Sequence, residues 1–385
     1  MKTLFVAPTG DIQSLSSISL GLVEALKNAG VKVGFVRPIG EDNNRSEQLF
    51  RELFNDETPS PILEGKVNQA IRNSQYDELL EEIVGRVAEA GKNNDVVVVE
   101  GLTYDSSRPY THDLNADIAR TLCAGVIFAG NSLANTPEEV AAHFDLNAYI
   151  YSEAHIWLAG YIINHVKDPA SIAKTVTYCQ TDFCKSLDVL GVIPENDQAT
   201  DDIANIHFIA QHLEIKSLIE QLKEPSQNRM PPSAFRYKLI QSAQIADRRI
   251  VLPEGEEPRT LRAATICAER GIARCVLLGN PETIKQVAAD HNIIIPSKGI
   301  EIINPADIAE KYIPGFLERR AHKGATEETA REALKDSVVV GTMMLAVGDV
   351  DGLVSGAVHT TADTIRPAFQ LIGTDKNSKL VSSIF

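Results

Sequence analysis

The amino-acid sequence predicts an α/β protein made of two three-layer domains, each built on a parallel sheet. Three observations carry this. Near-continuous runs of valine, isoleucine and leucine recur along the chain, they alternate with stretches of helical period, and one proline-rich polar stretch interrupts the alternation before it restarts. Apolar runs without polar alternation are strands buried on both faces, the condition of a parallel sheet covered by helices on either side.

The first run, KTLFVAP at residues 2–8, reads as a buried strand, followed by a polar turn and a helix with apolar positions at Ile18, Leu22, Ala25 and Leu26 that closes near Gly30. VKVGFVRPIG at 31–40 supplies the next strand. DVVVVEG (95–101), AGVIFAG (124–130), AGYIINHV (159–166) and LDVLGVIP (187–194) follow, separated by helical segments such as DELLEEIVGRVAEAG (77–91). Residues 1–200 are therefore expected to form one α/β domain. Two helical patterns over 201–222 and the stretch KEPSQNRMPPS at 223–233 mark its boundary, with 201–234 as a helical linker. The alternation then restarts with helix SAFRYKLIQSAQIAD, strand RRIVLPEG, helix EPRTLRAATICAERG, strand ARCVLLG, helix NPETIKQVAADH and strand GIEIINP, so that 235–385 form the second domain.

Composition narrows the function classes. The 385 residues carry a formal net charge of -15, which disfavours a general attraction to nucleic acid or to an anionic membrane and means that an anionic substrate needs a local cationic pocket. The N-terminal apolar run is too short for a signal peptide, and no apolar run reaches the roughly 18 residues of a membrane span, so a cytoplasmic protein is expected. Five scattered cysteines argue against a disulfide framework. Cys179 and Cys184 form one C-x4-C pair with no second pair to complete a zinc site, so ordinary thiols and no metal are expected.

APTGDIQSLSSISLG at 7–21 lies between the first strand and the first helix, where nucleotide-binding α/β domains cradle phosphate with backbone N–H groups and a helix N-terminus. Such a cradle also uses a lysine for the outer phosphates and a hydroxyl for magnesium. Here Gly10 is followed by Asp11, Ile12, Gln13, Ser14, Leu15 and Ser16, with no lysine at the turn and an aspartate that repels phosphate. Glu100, at the end of VVVVEG, is either a magnesium-directed acid or a turn carboxylate. In PTG, SLG, VRPI and VVVVEGL the domain resembles the dethiobiotin-synthetase-like P-loop fold. The missing lysine predicts a degenerate, regulatory or structural role, and disfavours an ATP-dependent ligase.

The block 248–281 breaks its strand at Pro253, carries Glu254, Glu256 and Glu257 in a turn, and opens a helix with Pro258. Glutamates at a helix N-terminus suit its dipole, whereas Arg259 in the first turn needs an anion nearby. The stretch DGLVSGAVHTTADTIRP at 351–367 offers a strand end, a Ser355–Gly356 turn with backbone N–H groups near an anion, hydroxyls from Thr360 and Thr361, and a planar cation in Arg366. His359 has the type of a base, and Arg319, Arg320, His322 and Lys323 precede Gly324. The bland readings stand beside these: cations complementing a helix C-terminus for the basic group, and turn formers and caps for Ser355, His359, Thr360 and Thr361.

On the 248–281 block together with RRAHKG, VVVGTMML and DGLVSGAVHTTADTIRPAFQLI, the sequence resembles the phosphate acetyltransferase family in its long form with an N-terminal P-loop-like domain. The resemblance implies conversion of acetyl-CoA and phosphate to acetyl phosphate and CoA, with coenzyme A as a substrate and no metal or redox cofactor in the chemical step. It makes Arg320 and Arg366 the two arginines that bind substrate and stabilise the transition state, and Ser355, Gly356, His359, Thr360 and Thr361 the substrate-side loop. It also implies that 235–385 correspond to the N-terminal part of the acetyl/butyryl transferase domain, with the later half and its catalytic aspartate beyond KLVSSIF, and that the segment between the two domains is short for the long form. A half-domain exposes strand edges and apolar helix faces, which favours a homo-oligomer or another partner and an incomplete catalyst. The rival reading is a non-catalytic metabolite-binding or regulatory protein on the same scaffold.

Overall fold

The computed structural model describes the chain except residues 11, 13, 43, 105–107, 133–135, 154–155, 170–186, 197–200, 225–229, 376 and 378–385. Cys179, Cys184 and the terminal LVSSIF lie outside the described residues. Two compact units, 1–237 and 238–385, divide it.

In the first unit, strands β1 (Lys2–Pro8), β2 (Val33–Val36), β5 (Val96–Glu100), β6 (Gly125–Asn131), β7 (Trp157–Val166) and β8 (Val189–Pro194) form a parallel sheet in the order β2-β5-β1-β6-β7-β8, and β3 (Ile39–Gly40) pairs with β4 (Ile62–Leu63). The valine-rich runs are strands for the reason their composition suggests. Leu4 and Val6 of β1 join Val96, Val98 and Ile127 in one core, while Phe5 and Ala7 join Val97, Val99 and Phe128 in the other, so successive residues bury on opposite faces and neither face can be polar.

Helices α1 (Leu15–Asn28), α2 (Arg45–Phe54), α3 (Glu64–Arg72), α4 (Tyr76–Ala90), α5 (Thr111–Thr121), α6 (Pro137–Glu153), α7 (Asp202–Gln211) and α8 (Lys216–Lys223) cover the sheet. Local signals set their starts: Asn44 accepts from the Glu47 N–H and Asp201 from the Ala204 N–H, each satisfying an orphan amide of the first turn. The pair α7 and α8, expected as a connecting linker, instead buries Ile206, Ile209 and Leu218 in the core shared with Leu20 and Leu22 of α1. Apolar side chains on both helices reach the core of the first unit, and a solvated connector would leave them in water.

The second unit is smaller. Strands β9 (Arg249–Leu252), β10 (Arg274–Leu278), β11 (Ile300–Ile303) and β12 (Gly352–Leu353) form a parallel sheet in the order β11-β10-β9-β12. After α9 (Pro232–Ala246), helices α10 (Pro258–Glu269) and α11 (Pro281–Asp290) bury Leu261, Ala264 and Ile284 against Cys275 and Leu277 on one face. On the other, α12 (Pro305–Arg320), α13 (Glu327–Ala333), α14 (Ser337–Val347) and α15 (Thr361–Leu371) pack Tyr312, Phe316, Met343 and Leu371 against Val251, Val276 and Leu278. Both units are thus three-layer α/β sandwiches, as the alternation predicts. Helix α15 is the element the sequence disguised, because Pro367 lies inside it and removes an interior hydrogen bond.

Close approach of α1 and α7 centres on Gly21, where an added Cβ would lie 2.6 Å from Ile209 Cγ2 and 3.4 Å from the Ala210 backbone nitrogen. Gly21→Ala is therefore expected to destabilise the first unit by about 1–3 kcal/mol. Gly65, whose added Cβ would meet nothing within 4 Å in α3, is the control: Gly65→Ala should leave stability unchanged or raise it by up to about 1 kcal/mol. Trp157, the single tryptophan, stands in β7 and reports on this unit, so urea melts followed by its fluorescence separate the two outcomes.

Candidate functional site

In a parallel sheet the loops after the strands gather at one edge, where α/β proteins bind their ligands. In the second unit the loop after β9 carries Glu254, and the loop after β12 runs through residues 354–360 beside it, joined by the Val354 N–H to Val251 O hydrogen bond of 3.1 Å. The Glu254 carboxylate accepts hydrogen bonds from four consecutive backbone N–H groups: Gly356 (2.9 Å), Ala357 (2.9 Å), Val358 (2.7 Å) and His359 (2.9 Å). His359 Nδ1 lies 2.9 Å from the same carboxylate. Burial pushes the Glu254 pKa up, but the amides of His359, Val358 and Ala357 and the His359 ring outweigh it and bring the pKa down to about 2. An ionised carboxylate can only accept, so His359 Nδ1 carries the proton and Nε2 is the ring's remaining site.

This arrangement corrects one expectation. The backbone N–H groups of the Ser355–Gly356 turn do meet an anion, but that anion belongs to the protein. The three glutamates of the β9 turn also divide their work. Glu257 is the N-cap of α10, accepting from the Thr260 N–H at 2.9 Å, and fits the dipole argument. Glu256 accepts from the Asn280 N–H at 2.7 Å, after β10. Glu254 stands before the cap, outside the first turn, and that offset is the sequence signal that sets it apart from a dipole role. Arg259 finds its anion in Glu257, 2.6 Å from Nε, and donates from Nη2 to Ala357 O at 2.7 Å, a second tether on the same loop.

The other expected site residues fall as follows. Ser355 has its Oγ buried with no hydrogen-bond partner among the described residues. Gly356 has φ 121°, in the left-handed region that favours glycine. Thr360 is the N-cap of α15, accepting from the Asp363 N–H at 3.3 Å and donating to its Oδ2 at 2.6 Å, and Thr361 is the first helical residue. Arg366 projects from α15 and is exposed, and Arg320 ends α12 and is half-buried. Neither guanidinium makes a hydrogen bond or ion pair among the described residues. Arg319 contrasts with them, donating to Ala346 O at 2.7 Å near the end of α14, a different helix from the one that ends before Gly324.

The first unit has the position of a phosphate site and different chemistry. Glu100, ending β5, is 1% exposed and receives Arg37 Nη1 at 2.7 Å and Ser16 Oγ at 2.9 Å. Burial raises its pKa against the opposing Arg37 charge, and its Oε2 has no hydrogen-bond partner among the described residues. Asp11 and Gln13 lie outside the described residues, and Leu15, the first residue of α1, is 2% exposed. Nearby, a cavity of about 160 Å³ is lined in part by Thr9, Gly10, Asn115 and His143. Ser16 and Glu100 face each other as magnesium ligands would, yet the cation between β2 and β5 is Arg37. Among the described residues, the carboxylate that would hold magnesium is already paired with Arg37, and these residues do not fit a magnesium nucleotide.

Fold and site together define a two-unit α/β protein whose second unit closes a loop around its own carboxylate at the sheet edge. Residues 234–385 match the family described as phosphate acetyl/butaryl transferase, and residues 2–202 match an AAA domain, leaving 203–233 between them. A phosphate acetyltransferase of Deinococcus radiodurans is 32% identical over 527 aligned residues, covering 100% of this chain and 75% of that protein, and one of Escherichia coli is 30% identical with 100% and 76% covered. A solved structure, the EutD phosphotransacetylase from Staphylococcus aureus, is 39% identical over 37% of this chain and 43% of its own, with a TM-score of 0.34. The chain belongs to the phosphate acetyltransferase family, whose members are acyltransferases. Among the described residues no helix is long and apolar enough to cross a membrane.

Two expected outcomes follow from the carboxylates. The Glu254 pKa is depressed from 4.5 to about 2, so its contribution is complete above about pH 4.5 and is lost as pH falls through about 2. Amide shifts of residues 356–359 should therefore hold steady down to that range and move only below it; a midpoint near 4.5 would contradict the clamp. Arg37→Ala leaves the buried Glu100 charge unpaired and should cost the first unit about 3 kcal/mol or more. Adding Glu100→Gln to that variant should restore most of the loss in Trp157-monitored melts.

Proposed function

We propose that the second unit carries out substrate binding for acetyl transfer between coenzyme A and phosphate, with acetyl-CoA, CoA, phosphate and acetyl phosphate as its ligands. The observation that carries this reading is that the Arg320 and Arg366 guanidiniums make no hydrogen bond or ion pair among the described residues, whereas Arg259 is held by Glu257 and Ala357 O and Arg319 by Ala346 O. A planar guanidinium without a partner keeps its donors for a tetrahedral oxyanion. In a protein of formal net charge -15, such cations are what gives a phosphate dianion a favourable place.

The chemistry needs little else from this unit. A phosphate oxygen attacks the thioester carbonyl, the C–S bond breaks, and CoA leaves as a thiolate, so an acetyl group moves and no electrons change hands. The reaction requires neutralised repulsion between phosphate and the developing oxyanion, which Arg320 and Arg366 supply, and it calls for no redox cofactor. Ser355, with its buried unpartnered Oγ, adds a donor at the loop, while Gly356, His359, Thr360 and Thr361 shape the approach to Arg366. A homo-oligomer is the assembly proposed for this chain. Its support is the apolar stripe Ile365, Phe369 and Ile372, exposed by 39%, 48% and 50% along and just after α15.

Thiol release from acetyl-CoA in the presence of phosphate tests the reading. Arg366→Ala and Arg320→Ala should each lower kcat/KM by about 100-fold or more, as removal of a transition-state donor does. Their thermal midpoints should stay within about 2 °C of the parent, because neither side chain holds the fold together. Equal losses of activity and stability would defeat the assignment, and absence of thiol release from the folded parent chain would defeat the activity for this chain.

A further inference from the structure

Loop 354–360 has little of what normally fixes a loop. Its apolar side chains are in water, with Val354 exposed by 62% and Val358 by 69%, so burial does not set its path. Gly356 adds conformational freedom at φ 121°. Against this stand five hydrogen-bond contacts to one carboxylate, four from consecutive amides and one from the His359 ring, on a Glu254 side chain only 4% exposed. Hydrogen bonds to an ionised group are about twice as strong as neutral ones, and a run of amides around one anion fixes every peptide plane in that run.

We propose that Glu254 is a positioning residue: an internal anion that moulds loop 354–360, sets the His359 tautomer, and so fixes where Thr360 starts α15 and where Arg366 stands six residues later. The functional half of this proposal rests on the acetyl-transfer reading given above. It also assigns phosphate to the guanidiniums, because the amide nest is already filled. The opposing possibility is that Glu254 is a placeholder that swings out and yields the amides to the substrate's phosphate. The two ideas predict changes of opposite sign when the charge is removed.

The experiment uses the full chain with Glu254→Gln and Glu254→Asp. Glutamine presents an N–H₂ group to amides that need an acceptor, whereas aspartate keeps the charge on a shorter stem. In hydrogen exchange at neutral pH, amides 356–359 of Glu254→Gln should exchange at least about tenfold faster than in the parent, while amides of β9 and β10 keep their rates, and Glu254→Asp should fall between. In thiol-release kinetics the KM for phosphate should rise about tenfold or more with the KM for acetyl-CoA changed less than twofold, and Glu254→Asp should recover part of the loss. The ¹⁵N signature of His359 should shift from the Nδ1–H form to a tautomer mixture in Glu254→Gln. A lower phosphate KM in Glu254→Gln would overturn positioning in favour of the placeholder, and unchanged exchange at 356–359 would overturn it outright. If the parent chain releases no thiol, the acetyl-transfer reading fails for this chain, while the exchange rates and His359 signature still decide the positioning role. If Glu254→Gln does not fold, Glu254→Asp decides it by the same exchange and ¹⁵N measurements.

Discussion

One carboxylate at the edge of the second sheet holds together the loops that follow two of its strands. Glu254 leaves β9 just after Pro253, and the amides of residues 356–359 close around it from the loop after β12. Parallel pairing of β12 with β9 is only two residues long, so the ladder alone constrains this edge weakly. The carboxylate extends that pairing by other means, as an acceptor for amides that have left the strand. Arg259 reinforces it from α10 through Ala357 O. Helix α15 then begins at its Thr360 cap, and the Arg366 guanidinium it carries makes no hydrogen bond or ion pair among the described residues.

Glu100 and Glu254 show how far surroundings decide what a carboxylate does. Glu100 ends a parallel strand, Glu254 lies just past one, and both are buried. Glu254 is encircled by aligned amide dipoles, and its charge is favoured despite desolvation. Glu100 has the Arg37 cation and serine hydroxyls beside it, and burial still raises its pKa. The first is held as an anion by backbone amides; the second has its pKa raised by burial and is paired with Arg37. Beside the turn between β1 and α1, the cation that meets Glu100 is the protein's own Arg37.

Much of the fold was legible in the sequence because both sheets are covered on both faces. The runs at 2–8, 96–100, 125–131 and 274–278 cannot alternate with polar residues, and that constraint is visible without coordinates. Short pairings such as β3 with β4 escaped notice because two residues carry no period. Helix α15 escaped because Pro367 is a breaker in most contexts, and here packing of Leu371 and its neighbours outweighs the lost bond. The two helices after residue 201 were visible as helices, but not as part of the first core, since only contact with α1 shows where Ile206 and Ile209 go.

The sequence by itself determined the fold class, the family, and the residue types at the site: a small turn with hydroxyls and an arginine after it. These follow from local pattern and from motifs that stay contiguous along the chain. Only the tertiary structure decided which groups are spoken for. Glu254 and His359 are 105 positions apart, and Arg259 and Ala357 are 98 apart, so no periodicity links them. Whether an amide, a carboxylate or a guanidinium remains open to a substrate depends on which distant group has already satisfied it. That is settled by how the strand order brings the loops after β9 and β12 to one edge.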